Sequence, residues 1–117
     1  MKKPVDARDL AIDIYSRSHC AVRVGAAIED NYGIYSWGWN SEGPSGFGQC
    51  AEKHAIARAN KARLLGSTIY VAGQRRRNSK AVTSKPCGSC QKLIDKWELN
   101  VYWRNHDGRW VHAGTAL

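Results

Sequence analysis

Cys50 and Glu52 flank a single alanine in the stretch GQCAEKHAI, Gly48–Ile56, and Cys87 and Cys90 enclose Gly-Ser behind a proline in PCGSC. Each group opens a segment of helical composition, so its thiols lie at the positive end of a helix dipole. A thiolate is stabilised there and binds metal more readily. At i, i+3 spacing Cys87 and Cys90 share one helix face, and Cys50 from a neighbouring helix would complete a three-sulfur cup. Zinc suits such donors. Structural zinc normally takes four protein ligands, whereas catalytic zinc takes three and leaves a position for water. A carboxylate two residues from a ligand, Glu52, can face that water as proton acceptor and donor without coordinating the metal.

Each residue also has a plainer reading. The C-x-x-C could be a redox pair or half of a structural zinc site, with Cys20 closing it as fourth ligand. Cys50 could be a small buried hydrophobe, and Glu52 a first-turn charge matched to the helix dipole.

The elements that must position these residues follow from the pattern of the chain. Leu10, Ala11, Ile14 and Tyr15 have helical spacing in DARDLAIDIYSRS. AVRVGAAIED reads as a buried strand with Val22, Val24 and Ile28 on one parity, DNYG as a turn, and IYSWGWN as the second arm of a hairpin. SEGPSGFGQ is a loop. Residues 50–66 read as one helix rich in Ala, Lys and Arg that stops at Gly66. STIYVAG is a third strand, QRRRNSKAVTSKP a long basic loop and CGSCQKLIDKW a helix. LNVYWR and RWVHAG are strands four and five, joined by the turn NHDG. That turn is too short for a parallel crossover, so these last strands are antiparallel. The alternation predicts a three-layer α/β/α fold with a five-stranded mixed sheet covered on both faces.

At 117 residues the chain has the length of a single domain spanning 1–117. With 43% hydrophobic and 24% charged residues it has a globular composition rather than a disordered one. It has no apolar run near the ~20 residues that span a membrane. Its first residues, MKKPVDARDLAIDI, lack the apolar segment of a signal peptide. The expectation is a cytoplasmic protein with no membrane partner, whose four cysteines serve metal or catalysis rather than disulfides. The net charge of +8 is that of a soluble basic surface or of a protein with an anionic partner.

CAE followed 37 positions later by PCGSC resembles the signature of the zinc-dependent cytidine deaminase superfamily, [H/C]-x-E and then P-C-x-x-C. The resemblance is closest to the three-cysteine cytidine and blasticidin-S deaminases and covers nearly the whole chain. VRVGAAI resembles the family's first strand, GWNSE its G-x-N-x-E, and NVYWRNHDG its last hairpin. The resemblance implies that Cys50, Cys87 and Cys90 bind Zn²⁺. It implies that Glu52 shuttles protons to the ring N3 and the departing amine, that Ala51 offers a backbone contact to the base, and that Asn40 and Glu42 hold the sugar hydroxyls. The reaction implied is hydrolysis of cytosine at C4 to uracil and ammonia. Three thiolates on Zn²⁺ leave a charge of about −1. The family offsets it with an Arg after C-A-E, and Lys53 stands at that place here, cationic but without the forked geometry. His54 beside it reads as a helix-surface or supporting residue.

The family stacks a Phe on the base where this chain has Val22, so Phe47, Trp37 and Trp39 are the aromatic candidates for that wall. Cys20 reads as a buried thiol. The primary expectation is deamination of free cytidine or deoxycytidine, because nucleic-acid and deoxycytidylate deaminases more often carry a helix between their last two strands. The alternative is a cytosine nucleotide or single-stranded DNA or RNA, with Arg75, Arg76 and Arg77 binding phosphate. A zinc-stabilised nucleic-acid-binding module without catalysis would have no need of Glu52. Trp103 and Trp110 look exposed on the last strands, and the resemblance implies a homo-oligomer, tetramer or dimer.

Overall fold

The computed structural model describes residues 6–41, 50–86 and 88–112. Glu42, Phe47 and Cys87 lie outside them, as do residues 113 and 114 of the expected last strand. The elements run α1 (Ala7–Ile14), β1 (Val22–Asp30), β2 (Gly33–Trp39), α2 (Ala51–Arg58), α3 (Lys61–Leu64), β3 (Thr68–Arg75), β4 (Ala81–Val82), α4 (Gly88–Lys96), β5 (Asn100–Arg104) and β6 (Trp110–His112). The sheet order is β2-β1-β3-β5-β6, with β4 hydrogen-bonded to β3. β3 and β5 are parallel, and the other pairs are antiparallel, including the β5–β6 hairpin predicted from its short turn.

The period-2 pattern of β1 and β3 divides the core in two. Ala26, Ile28, Ile69, Val71 and Val101 face α2, α3 and α4, burying Ala51, Ala55, Ile56, Leu64 and Ile94 between them. On the other face Ala27 and Ala72 meet Ala7, Ala11 and Tyr15 of the first helical segment. This is the α/β/α arrangement expected. Two glycines let the layers approach closely. A Cβ on Gly25 would lie 2.2 Å from the carbonyl oxygen of Ala11, and one on Gly38 2.5 Å from the amide nitrogen of Ala55. β1 is therefore pressed against α1, and β2 against α2.

Several details differ from expectation. The first helix stops at Ile14 and finishes as a 3₁₀ turn, Tyr15–Arg17. The helix expected over 50–66 is broken at Ala59 and Asn60, both extended. The Asn60 side chain accepts from the Ala62 amide at 3.0 Å and so caps α3, and the Lys61 ammonium donates to the carbonyls of Ile56, Ala57 and Ala59. Side-chain partners for a helix start and a helix end thus outweigh the favourable composition. The basic loop contains β4, which makes the strand count six rather than five: Gly73 pairs with Val82 and Gln74 with Ala81. Val22 is exposed at the mouth of β1, while Trp103 and Trp110 are half-buried rather than exposed, packed on the two sides of the sheet.

Candidate functional site

The register brings one end of the sheet together. Trp39 at the end of β2 pairs with Gly25, Val22 at the start of β1 pairs with Arg75 at the end of β3, and Trp103 near the end of β5 pairs with Val71. α2 and α4 both begin at this end, and they pack against each other. Cys50 is the extended residue before the first turn of α2, half-buried, with φ −69° and ψ 149°. Ala51 is fully buried and Glu52 is only 5% exposed, an unusual burial for a carboxylate in a first turn. Lys53 is half-buried. Cys90, in the first turn of α4, is fully buried.

Thiols at the N-termini of two helices that pack against each other are donors that suit zinc, and the buried Glu52 lies in the first turn of the helix that follows Cys50. Cys50 and Cys90 are the described residues that would hold zinc, with Cys87 the third thiol of the expected set. Among the described residues no three His, Cys, Asp or Glu side chains form a metal-holding group.

The approach of α2 to the sheet is held by contacts that the motif does not advertise. Ser36 on β2 is buried and donates its hydroxyl to the Ala55 carbonyl at 2.7 Å. The His54 Nδ1 lies 3.2 Å from both the nitrogen and the oxygen of Trp39, and the two rings meet edge to face at 4.7 Å. His54 is thus a supporting residue that ties α2 to the end of β2. Trp37 and Trp39 are stacked against arginines: Arg58 over both, at 5.3 and 5.9 Å, and Arg17 over Trp39 at 5.2 Å. Their faces are engaged in packing at the β2–α2 junction.

Asn40 has a structural duty as well. Its side-chain oxygen accepts from the Val24 amide and its nitrogen donates to the Val22 carbonyl, both at 2.8 Å. One N–H and one lone pair of the amide remain for a ligand. Asn40 also lines a cleft of about 300 Å³ with Arg17, His19, Trp39 and Ser41. This cross-tie between β2 and β1 escaped sequence reasoning, because its partners lie on another strand. Cys20 is buried, as expected.

Arg75, Arg76 and Arg77 leave β3 at the same end of the sheet and are exposed. The Arg76 amide donates to the Ala21 carbonyl at 2.8 Å, and its guanidinium donates to the His19 carbonyl at 3.0 Å. Away from this end, Asp30 receives two hydrogen bonds of 2.7 Å from Arg63. Those bonds, with the Tyr32 amide, hold its carboxyl at a pKa of about 2. On the opposite side of the sheet, burial and a hydrogen bond to Glu29 push the Tyr70 hydroxyl up. Among the described residues no helix is long and apolar enough to cross a membrane.

Over residues 1–102 the chain matches the model of the cytidine and deoxycytidylate deaminase zinc-binding region. A cytidine deaminase from Burkholderia pseudomallei superposes with a TM-score of 0.75 at 24% identity, covering 92% of this chain and 89% of that one. A dCMP deaminase from the cyanophage S-TIM5 gives 0.64 at 28% identity over 85% and 79%. A cytidine deaminase from Mycobacterium leprae gives 0.65 at 23% over 91% and 89%. At 24% and 23% identity the two cytidine deaminases establish the fold. No curated protein matches the chain by sequence.

Proposed function

The chain belongs to the cytidine and deoxycytidylate deaminase family, and from that premise we propose that it is a single-domain hydrolase converting the cytosine of cytidine or deoxycytidine to uracil with release of ammonia. Family membership supports hydrolytic deamination at a zinc-binding region. The observation that carries the nucleoside reading is the closing hairpin: β5 and β6 are antiparallel neighbours joined by the tight turn at Asn105–Gly108, with no helix between them.

In this reading Cys50, Cys87 and Cys90 hold Zn²⁺, which when bound lowers the pKa of a water and makes it nucleophilic near neutral pH. Glu52 would carry one proton of the water to ring N3 and the second to the amine, which leaves as ammonia. Its burial supports the role, because a carboxylate out of bulk water holds its proton partner without competition from solvent. The Ala51 backbone positions the base. Asn40, with Glu42, holds the sugar, and Phe47 is the remaining aromatic for the base wall, since Trp37 and Trp39 are engaged by arginines. Lys53 offsets the negative charge of the thiolates. We take the protein to be cytoplasmic and homo-oligomeric, as a tetramer or dimer, which light scattering would check.

A second reading is favoured by the position of Arg75, Arg76 and Arg77 at the site's end of the sheet. In it the cytosine belongs to a nucleotide or a single strand whose phosphate these residues bind. Incubation with cytidine, deoxycytidine, deoxycytidylate and a cytosine-containing single strand, following uracil formation, tests both. Fast turnover of the nucleosides is the expected result. Turnover of the strand or nucleotide alone would replace the first reading by the second.

A further inference from the structure

The turn between β3 and β4 and the turn between β5 and β6 stand side by side at the end of the sheet and enclose a groove of about 730 Å³. Arg75 and Lys80 form one wall, and Arg104 and His106 the other. Both walls are tied by hydrogen bonds. The Arg75 amide donates to the Lys80 carbonyl at 2.8 Å, and Ser84, just beyond β4, is buried with its amide 3.0 Å and its hydroxyl 2.9 Å from the Arg104 carbonyl. The β5–β6 turn closes with the Asn105 amide donating to Arg109 at 2.8 Å.

The groove has an unbalanced charge. Among the described residues the ion pairs are Arg8–Asp6, Arg63–Asp30 and Arg109–Asp107, so Arg75, Lys80 and Arg104 have no carboxylate partner. The Nε of Arg104 is buried without a hydrogen-bond acceptor. Asp107 is the acid in the groove, and Arg109 lies against it, with its amide at 3.2 Å and its Nε at 3.8 Å. The cations also continue in a row, because Arg76 and Arg77 follow Arg75 around the start of β1. A row of cations along a notch suits successive phosphates of one flexible backbone; a single phosphate would call for a cup. A duplex would need an element long enough to enter its groove or track its face, and two short turns offer neither.

We propose that this groove is a binding track for the backbone of single-stranded nucleic acid, held by Arg75, Lys80 and Arg104. The track is separate from the nucleoside reading and extends the second one, in which Arg75 binds the phosphate of a single strand, by adding Lys80 and Arg104.

The test uses the intact protein and a probe without cytosine, so that deamination does not enter. Binding of a fluorescein-labelled oligodeoxythymidylate is followed by anisotropy across a tenfold range of salt. Each phosphate contact contributes about 0.7 to the slope of log affinity against log salt. Arg75→Ala/Lys80→Ala should therefore lower the slope by about 1.4 and weaken binding about 25-fold at the low-salt end, relative to the high-salt end. Both side chains are exposed and the turn is held by backbone hydrogen bonds, so the variant should fold. Lys92→Ala/Lys96→Ala, exposed on α4, removes the same charge away from the groove and should leave the slope unchanged. Three results would each overturn the proposal: no binding of the strand, equal losses in both variants, or thymidine monophosphate displacing the probe as well as unlabelled strand does at equal concentration. None of them would bear on turnover of cytidine.

Discussion

Gly38→Ala tests how the site is positioned. Gly38 is buried on β2 beneath the first turns of α2, and an added Cβ would lie 2.5 Å from the Ala55 nitrogen and 2.9 Å from the Ala51 oxygen. These are backbone atoms, so no side-chain rotation relieves the clash. Ordinary contact begins near 3.4 Å, and 3.4 − 2.5 gives a separation of 0.9 Å that β2 and α2 must undergo. Overpacking of this kind costs about 1–3 kcal/mol, which lowers the Tm of a domain of this size by roughly 4–12 °C. α2 carries Cys50, Ala51 and Glu52 at its start, and a displacement near 1 Å in catalytic groups can cost about 10²-fold in rate. The assay is thermal unfolding together with turnover of cytidine and zinc content. The expected result is a lowered Tm with turnover falling more steeply than the folded fraction. A variant with unchanged Tm would refute the packing argument. One with a lowered Tm and full turnover would refute the link from β2 to the site.

Ile94, 1% exposed between α4 and the sheet, should cost about 2–5 kcal/mol when changed to Ala, read as a shifted denaturant midpoint. Ser84→Ala removes a buried hydroxyl that lies 2.8 Å from the Val71 carbonyl and 3.2 Å from the Arg104 amide; about 1–3 kcal/mol should be lost in the same assay. The pair between Asp30 and Arg63 gives a pH signature. Because the folded carboxyl titrates near 2, below its usual 3.8, its stabilisation is complete above about pH 4 and lost as pH falls toward 2. The Tm difference between the wild type and Asp30→Asn should therefore shrink over that window, and a difference constant down to pH 2 would contradict the assignment.

Much of this architecture was legible because it is local. The parity of Ala26 and Ile28 against Ala27, the Asn105–Gly108 turn and the two helices that begin beside Cys50 and just ahead of Cys90 each follow from a few adjacent residues. What was missed depends on distant partners. β4 is two residues long and exists through its pairing with Gly73 and Gln74. The amide of Asn40 is held by Val22 and Val24, and the half-burial of Trp103 and Trp110 comes from layers above and below the sheet. The break in the helix at Asn60 had a visible signal, since Asn is a favoured N-cap residue. The run of Ala, Lys and Arg around it outweighed that signal in the reading. Glu42, Phe47 and Cys87 fall outside the described residues, and their roles rest on the motif.

The most direct measurement of the central claim is zinc content and turnover on the same preparation of Glu52→Gln. The substitution keeps the size of the side chain and removes its capacity to carry a proton. The account predicts about one zinc per chain, as in the wild type, with uridine formation from cytidine reduced by about 10²–10⁴-fold. A zinc-loaded variant turning over at the wild-type rate would contradict it.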